Sequence, residues 1–184
     1  MRYFLFFSFI AVTLCCCTNK QGSVENTLIF QNENNAGISD VICEENLEND
    51  IIKRRLEIES EINKIQPVKK DLEDISSQGG EVFFYIKNKD TIFIRTIFYG
   101  EYGKLVQEFY NNDNIPFLLK EEVYSYEQSI YDNSNATIYQ IDTNLILLSN
   151  FTIEKWCASG KLIQKSEYKD KIQNIRDAYR IIRE

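Results

Sequence analysis

From Glu81 to about Lys165 the apolar residues of this chain recur with a period of two, and polar turn signals break the run again and again. Glu81–Lys87 and Thr91–Tyr99 are rich in Phe, Ile, Val and Tyr and are separated by Asn88-Lys89-Asp90, which reads as a hairpin. Gly100-Glu101-Tyr102-Gly103 turns the chain into Lys104–Tyr110, and Asn111-Asn112-Asp113-Asn114 turns it into Ile115–Tyr126. Pro116 marks an edge or the entrance of that strand. A polar loop follows to Asn135, and alternation resumes through Ala136–Ile141, Leu145–Trp156 and Lys161–Lys165. Consecutive hairpins of this kind pair in chain order and predict an antiparallel meander.

Helical periodicity frames the sheet. Leu47, Ile51, Ile58, Ile62 and Ile65 form one stripe of a helix predicted from about Glu44 to Gln66, stopped by Pro67. Val68–Ile75 reads as a further helical turn or two, ended by Ser76-Ser77-Gln78-Gly79-Gly80. Tyr168, Ile172, Ile175, Tyr179 and Ile182 make a single seam on a C-terminal helix. The expected fold class is α+β: an antiparallel β-meander of about 6–8 strands packed by an N-terminal and a C-terminal amphipathic helix. Both helices are expected on one face of the sheet, in two layers.

The first residues read as an address. Arg2 precedes the apolar run Tyr3–Leu14, which ends in three cysteines, the layout of a secretory signal. A membrane-spanning helix needs roughly 20 apolar residues, and this run stops at Thr18-Asn19-Lys20. Leu14-Cys15-Cys16-Cys17 resembles a bacterial lipobox, in which a leucine stands three places before a cysteine that is diacylated and becomes the new N-terminus. Cys17 fits best, with Leu14 in that place and a small residue just before it; Cys15 and Cys16 fit less well. The resemblance implies a signal peptide over 1–16, lipidation at Cys17 with palmitate-type chains, and a lipid-anchored protein of the bacterial cell envelope, at the outer membrane rather than the inner. Residues 17–43 are then a polar tether, and 44–184 the α+β domain. The remaining cysteines, Cys43 and Cys157, are an even pair that an oxidising envelope permits to form a disulfide; the alternative, toward which the reading leans, is two separate thiols.

A second resemblance lies in the body. Gly79-Gly80-Glu81, then Gly100-Glu101-Tyr102-Gly103-Lys104 running into Phe109-Tyr110, then Trp156 ahead of Gly160-Lys161-Leu162-Ile163, is similar to a group of uncharacterised Gram-negative envelope lipoproteins. The chain departs from that group in having Asn111-Asn112-Asp113-Asn114 where a glycine turn is usual. The resemblance implies fold and location and assigns no activity.

Composition narrows the chemistry. The chain carries 28 acidic and 21 basic residues, no histidine, and a net charge of −7, so it lacks the basic footprint of a nucleic-acid binder. No histidine removes the commonest general base, and no phosphate-binding glycine loop or nucleophile elbow is present. Glu121-Glu122 cannot form a glycosidase-type dyad, because adjacent residues of a strand face opposite sides. Asn111–Asn114 offers oxygen ligands but not the spacing of a calcium loop, and reads as a turn. No catalytic residue, metal or cofactor is expected.

Sixteen of the 24 aromatic residues lie between Phe83 and Trp156, enough to place rings on both sheet faces. Tyr85, Tyr99, Tyr110, Tyr124, Tyr126 and Tyr139 are candidates for an exposed platform that stacks a sugar or grips a protein. Tyr124 and Tyr126 are its leading pair. The expected function is therefore a membrane-anchored, non-enzymatic binding module for a protein or glycan. The alternative is an inhibitor or immunity-type protein that caps a basic envelope enzyme.

Overall fold

The computed structural model describes residues 47–72, 76, 78–132 and 136–183. The lipobox, Cys17, the predicted tether and Cys43 lie outside the described residues. Helix α1 (Asn49–Ile62) leads into eight strands: β1 (Val68–Leu72), β2 (Gly80–Lys87), β3 (Asp90–Gly100), β4 (Gly103–Asn112), β5 (Ile115–Tyr126), β6 (Ile138–Ser149), β7 (Thr152–Ala158) and β8 (Lys161–Leu162). A 3-10 turn at Lys165–Glu167 then opens helix α2 (Tyr168–Arg183). All eight strands form one antiparallel sheet in chain order, the predicted α+β meander.

Turn chemistry sets that order. Asn88-Lys89, Asp113-Asn114, Asn150-Phe151 and Ser159-Gly160 all have positive φ at both residues, the backbone of the tightest hairpins. Asn and Asp reach this conformation at low cost, and Gly160 at none. Phe151 does not, and its turn is held by other means: Arg176 of α2 donates from Nε and Nη2 to the Phe151 carbonyl, at 3.1 and 2.9 Å. The Phe151 ring also packs edge-on against Tyr179, 5.2 Å between centroids.

The helices lie on opposite faces, which corrects the two-layer expectation. Neighbouring residues of one strand divide between them: Phe93, Tyr110, Leu118 and Leu145 pack under α1 with Ile58 and Cys157, joined by Leu47, Ile51 and Ile62. Ile94, Phe109, Leu119 and Ile146 pack under α2 with Ile175, Tyr179 and Ile182, joined by Tyr168 and Ile172. A central sheet buried on both sides needs apolar residues in adjacent pairs.

Three predicted segments are corrected. Val68–Leu72 is an edge strand paired with Val82–Phe84 and its neighbours, not a helical turn. The predicted strand Leu145–Trp156 is broken by the Asn150-Phe151 turn into the end of β6 and the start of β7. β8 is two residues long rather than running to Lys165. The first helix ends at Ile62, where the Asn63 side chain donates to the Glu59 carbonyl at 3.1 Å and the Lys64 N–H turns back to Glu61. Pro116 sits, fully buried, at the entrance of β5 beside a bulge, where no ladder N–H is needed.

Candidate functional site

Tyr124 and Tyr126 do not form an exposed pair. Tyr126 is buried at 8% exposure, with its N–H bonded to the Tyr102 carbonyl at 2.9 Å. Tyr124 is half-buried: Lys104 Nζ lies over its ring at 4.5 Å, and its hydroxyl donates to Glu122. Tyr110 is buried under α1, and Tyr85 and Tyr99 are partly buried, so of the predicted platform only Tyr139 is exposed.

Three of these hydroxyls instead serve carboxylates on the α1 side of the sheet. Tyr110 donates to Glu59 at 2.9 Å, Tyr99 to Glu81 at 3.1 Å, and Tyr124 to Glu122. Burial, reinforced by the adjacent carboxylate, raises the pKa of all three, Tyr99 to about 12. Burial opposes the charge of Glu122, but the Tyr124 hydroxyl and the Lys120 ammonium outweigh it and hold this carboxyl below its ordinary range. Burial raises Glu108 on the neighbouring strand.

The adjacent acids Glu121 and Glu122 face opposite sides as expected. Glu122 belongs to a ladder with Lys120 (2.9 Å), whose cross-strand neighbour Glu108 meets Arg95 at 3.7 Å. Glu121 is buried under α2, where Gln107 Nε2 donates to it at 2.9 Å and the Lys171 ammonium contacts it. Both acids are occupied by ion pairs.

The asparagine turn is likewise committed. Asn111 Nδ2 donates to the Thr91 carbonyl, the Asn114 Oδ1 accepts from the Thr91 N–H, and Asn114 Nδ2 donates to Asp90. Among the described residues no three Asp, Glu or Cys side chains converge as metal ligands. A shallow hollow beside this turn, lined by Arg54, Glu57, Glu61, Lys87 and Asp90, has its charges joined across it: Lys87 meets Glu61 at 2.7 Å and Arg54 donates to Asn112.

Cys157 is disulfide-bonded, which decides against the lean toward a free thiol at the position whose pairing the sequence left open. Its side chain is buried beneath α1, and every other cysteine of the chain lies outside the described residues.

The exposed rings collect elsewhere, at the end of the sheet that carries the β3–β4 turn and the β5–β6 loop. Tyr102 is 48% exposed, Tyr131 67% and Tyr139 59%. Backbone bonds fix them in an arc. The Ile130 N–H reaches the Glu101 carbonyl at 3.1 Å, folding the β5–β6 loop back across the β3–β4 turn. The Gln78 amide then donates to the Tyr131 hydroxyl, which carries the arc to the start of β2. Tyr139 is the bulged residue of β6, skipped between Ile138 and Gln140 in the pairing with β5. From β2 to β6 the arc spans roughly 20 Å, four strand spacings. Glu101 and Asp132 flank Tyr102, and Glu101 above all raises its phenol pKa. Sequence reasoning passed over Tyr102 and Tyr131; their positions in a two-residue turn and a long loop were the available signal.

No family model, curated protein or solved structure matches the chain. No helix among the described residues is long and apolar enough to cross a membrane.

Proposed function

We propose that this chain is a membrane-anchored bacterial envelope lipoprotein, lipidated at Cys17, that acts as a non-enzymatic binding module. Its contact surface is the tyrosine-lined end of the sheet rather than Tyr124 and Tyr126. One observation carries this reading: Tyr102, Tyr131 and Tyr139 are the most exposed tyrosines among the described residues, and all three sit at one end, where backbone hydrogen bonds tie the β5–β6 loop to the β3–β4 turn. Amphipathic rings of this kind supply contact area at low entropic cost and accept a protein or a glycan face.

The anchor is supported by the lipobox-like Leu14-Cys15-Cys16-Cys17 alone, and the experiment addresses it first. The native protein should fractionate with envelope membranes and carry acyl chains, and a Cys17→Ala chain should not. A photo-crosslinking residue at position 131 should then capture a defined envelope component, while the same probe at Leu162, exposed at the far edge strand, should not. Equal capture at both positions would remove the tyrosine end as the contact surface.

A further inference from the structure

The chain treats its own cations in a consistent way. Lys69 lies over the Phe83 ring at 5.9 Å and bonds Glu81 at 2.6 Å; Lys171 lies over Trp156 at 5.6 Å and contacts Glu121. Arg54 sits over Phe117 and Arg183 over Tyr179, at 5.2 and 5.7 Å. At Lys69 and Lys171 ring, carboxylate and cation come together, because the face of an aromatic ring and an anion attract the same partner; Arg54 and Arg183 pair ring and cation, with Asn112 and the Asn114 carbonyl as their polar partners.

At the tyrosine-lined end ring and carboxylate stand together, and among the described residues no cation joins them. Glu101 and Asp132 lie beside Tyr102, and Glu127 begins the same loop. Among the described residues no lysine or arginine pairs with Glu101, Glu127 or Asp132, and none lies over Tyr102, Tyr131 or Tyr139. The nearest lysine in sequence, Lys104, is turned onto Tyr124. The cause is written in the sequence: from Glu121 to Glu154 there is no basic residue at all. A surface this acidic steers positive partners toward itself and repels negative ones.

We infer that the tyrosine-lined end receives a cationic polypeptide segment, whose lysine or arginine side chains stack on Tyr102, Tyr131 and Tyr139 and pair with Glu101, Glu127 and Asp132. This rests on the proposed binding role of that end and names its partner class. Charge complementarity selects a basic protein over a neutral glycan, which would leave the three carboxylates without ion partners.

The test titrates the full chain with a labelled Gly-Arg repeat peptide and, separately, with a panel of neutral oligosaccharides. Three doubles are compared: Glu101→Gln with Asp132→Asn, Tyr102→Ser with Tyr131→Ser, and the charge-matched control Glu154→Gln with Glu167→Gln. Peptide binding should weaken about five- to tenfold in each of the first two and hold in the control, and it should fall as salt is raised. Equal weakening in the control and the first double would mean bulk attraction to an acidic body, and would overturn the inference. An oligosaccharide lost only in the tyrosine double would keep the binding end and overturn its cationic partner. Indifference of both probes to the tyrosine double would sink the binding end itself. All six substituted residues lie on the surface or in turns, and thermal melts of each double confirm folding.

Discussion

The Tyr110 hydroxyl donates to the Glu59 carboxylate across the space between β4 and α1, at 2.9 Å. The ring beneath it is sandwiched in the α1-side core, edge-on to Phe93 at 5.0 Å. Ile58 is the one buried residue of this helix, with Ile51 and Ile62 packed beside it, and the bond adds to the hold of those apolar contacts. Tyr110→Phe keeps the ring and removes the donor. Because Glu59 retains Arg55 and access to water, the expected cost is about 1 kcal/mol in chemical denaturation, with faster amide exchange confined to α1.

Alkaline pH should weaken the fold through the tyrosine–carboxylate bonds. Tyr99 has its pKa raised from 10.0 to about 12, and Tyr110 and Tyr124 are raised as well. In the unfolded chain these phenols lose their protons first, so the folded state binds more protons above pH 10 and stability falls as pH rises. For Tyr99 the loss runs from pH 10 to about 12. Denaturation midpoints across that interval, followed beside the phenolate absorbance, check the direction; a midpoint that does not move would refute it.

Helix α2 is tied to the sheet by one buried ion pair, Lys171 with Glu121. Lys171→Met removes the charge and leaves a carboxylate that is 4% exposed with Gln107 as its remaining partner. The expected loss is about 3 kcal/mol, and the double variant with Glu121→Gln should recover part of it. Thermal melts of the two single variants and the double form the complete cycle.

Gly103 has no room for a side chain. A Cβ there would stand 2.1 Å from the Tyr124 carbonyl oxygen of the paired strand. Gly103→Ala should cost about 2 kcal/mol or more by forcing β4 and β5 apart next to the tyrosine-lined end. Gly100→Ala, which meets its nearest atom at 3.3 Å, should cost less, and comparison of their melting temperatures tests the difference.

Cys157 should not react with a thiol reagent, even in denaturant, until the protein is reduced. Mass spectrometry of alkylated peptides before and after reduction reads this directly. Labelling of Cys157 without reductant would contradict the disulfide.

Much of this architecture was legible because hairpins are written locally. The β5 boundaries, Ile115 to Tyr126, and all five positions of the α2 seam follow from period and turn residues alone. The failures have physical causes. Phe151 looks like a strand residue, and only its contacts with Tyr179 and Arg176 keep it in a turn. Val68–Leu72 has little apolar content of its own, and its strand form comes from pairing with β2. The opposite placement of the helices was signalled by doubled apolar residues, Phe93-Ile94, Phe109-Tyr110, Leu118-Leu119 and Leu145-Ile146, which a sheet covered on one side does not need. For the tyrosine-lined end, alternation told which tyrosines share a face but not which ends of the sheet lie open. Four register shifts, including the one at Ser125/Tyr126, further blur that inference.

Because spatial order repeats chain order from β1 to β8, every strand finds its partner in the segment made just before it. Loop closure is short at each step, so the entropic barrier that slows most all-β topologies is small. The sheet can grow like a zipper from any completed hairpin. Helix α2, the last element in chain order, is the cover of one apolar face of that sheet. Without that cover Phe109, Leu119 and Ile146 would stand open to water, so a chain shortened before α2 should be prone to aggregation.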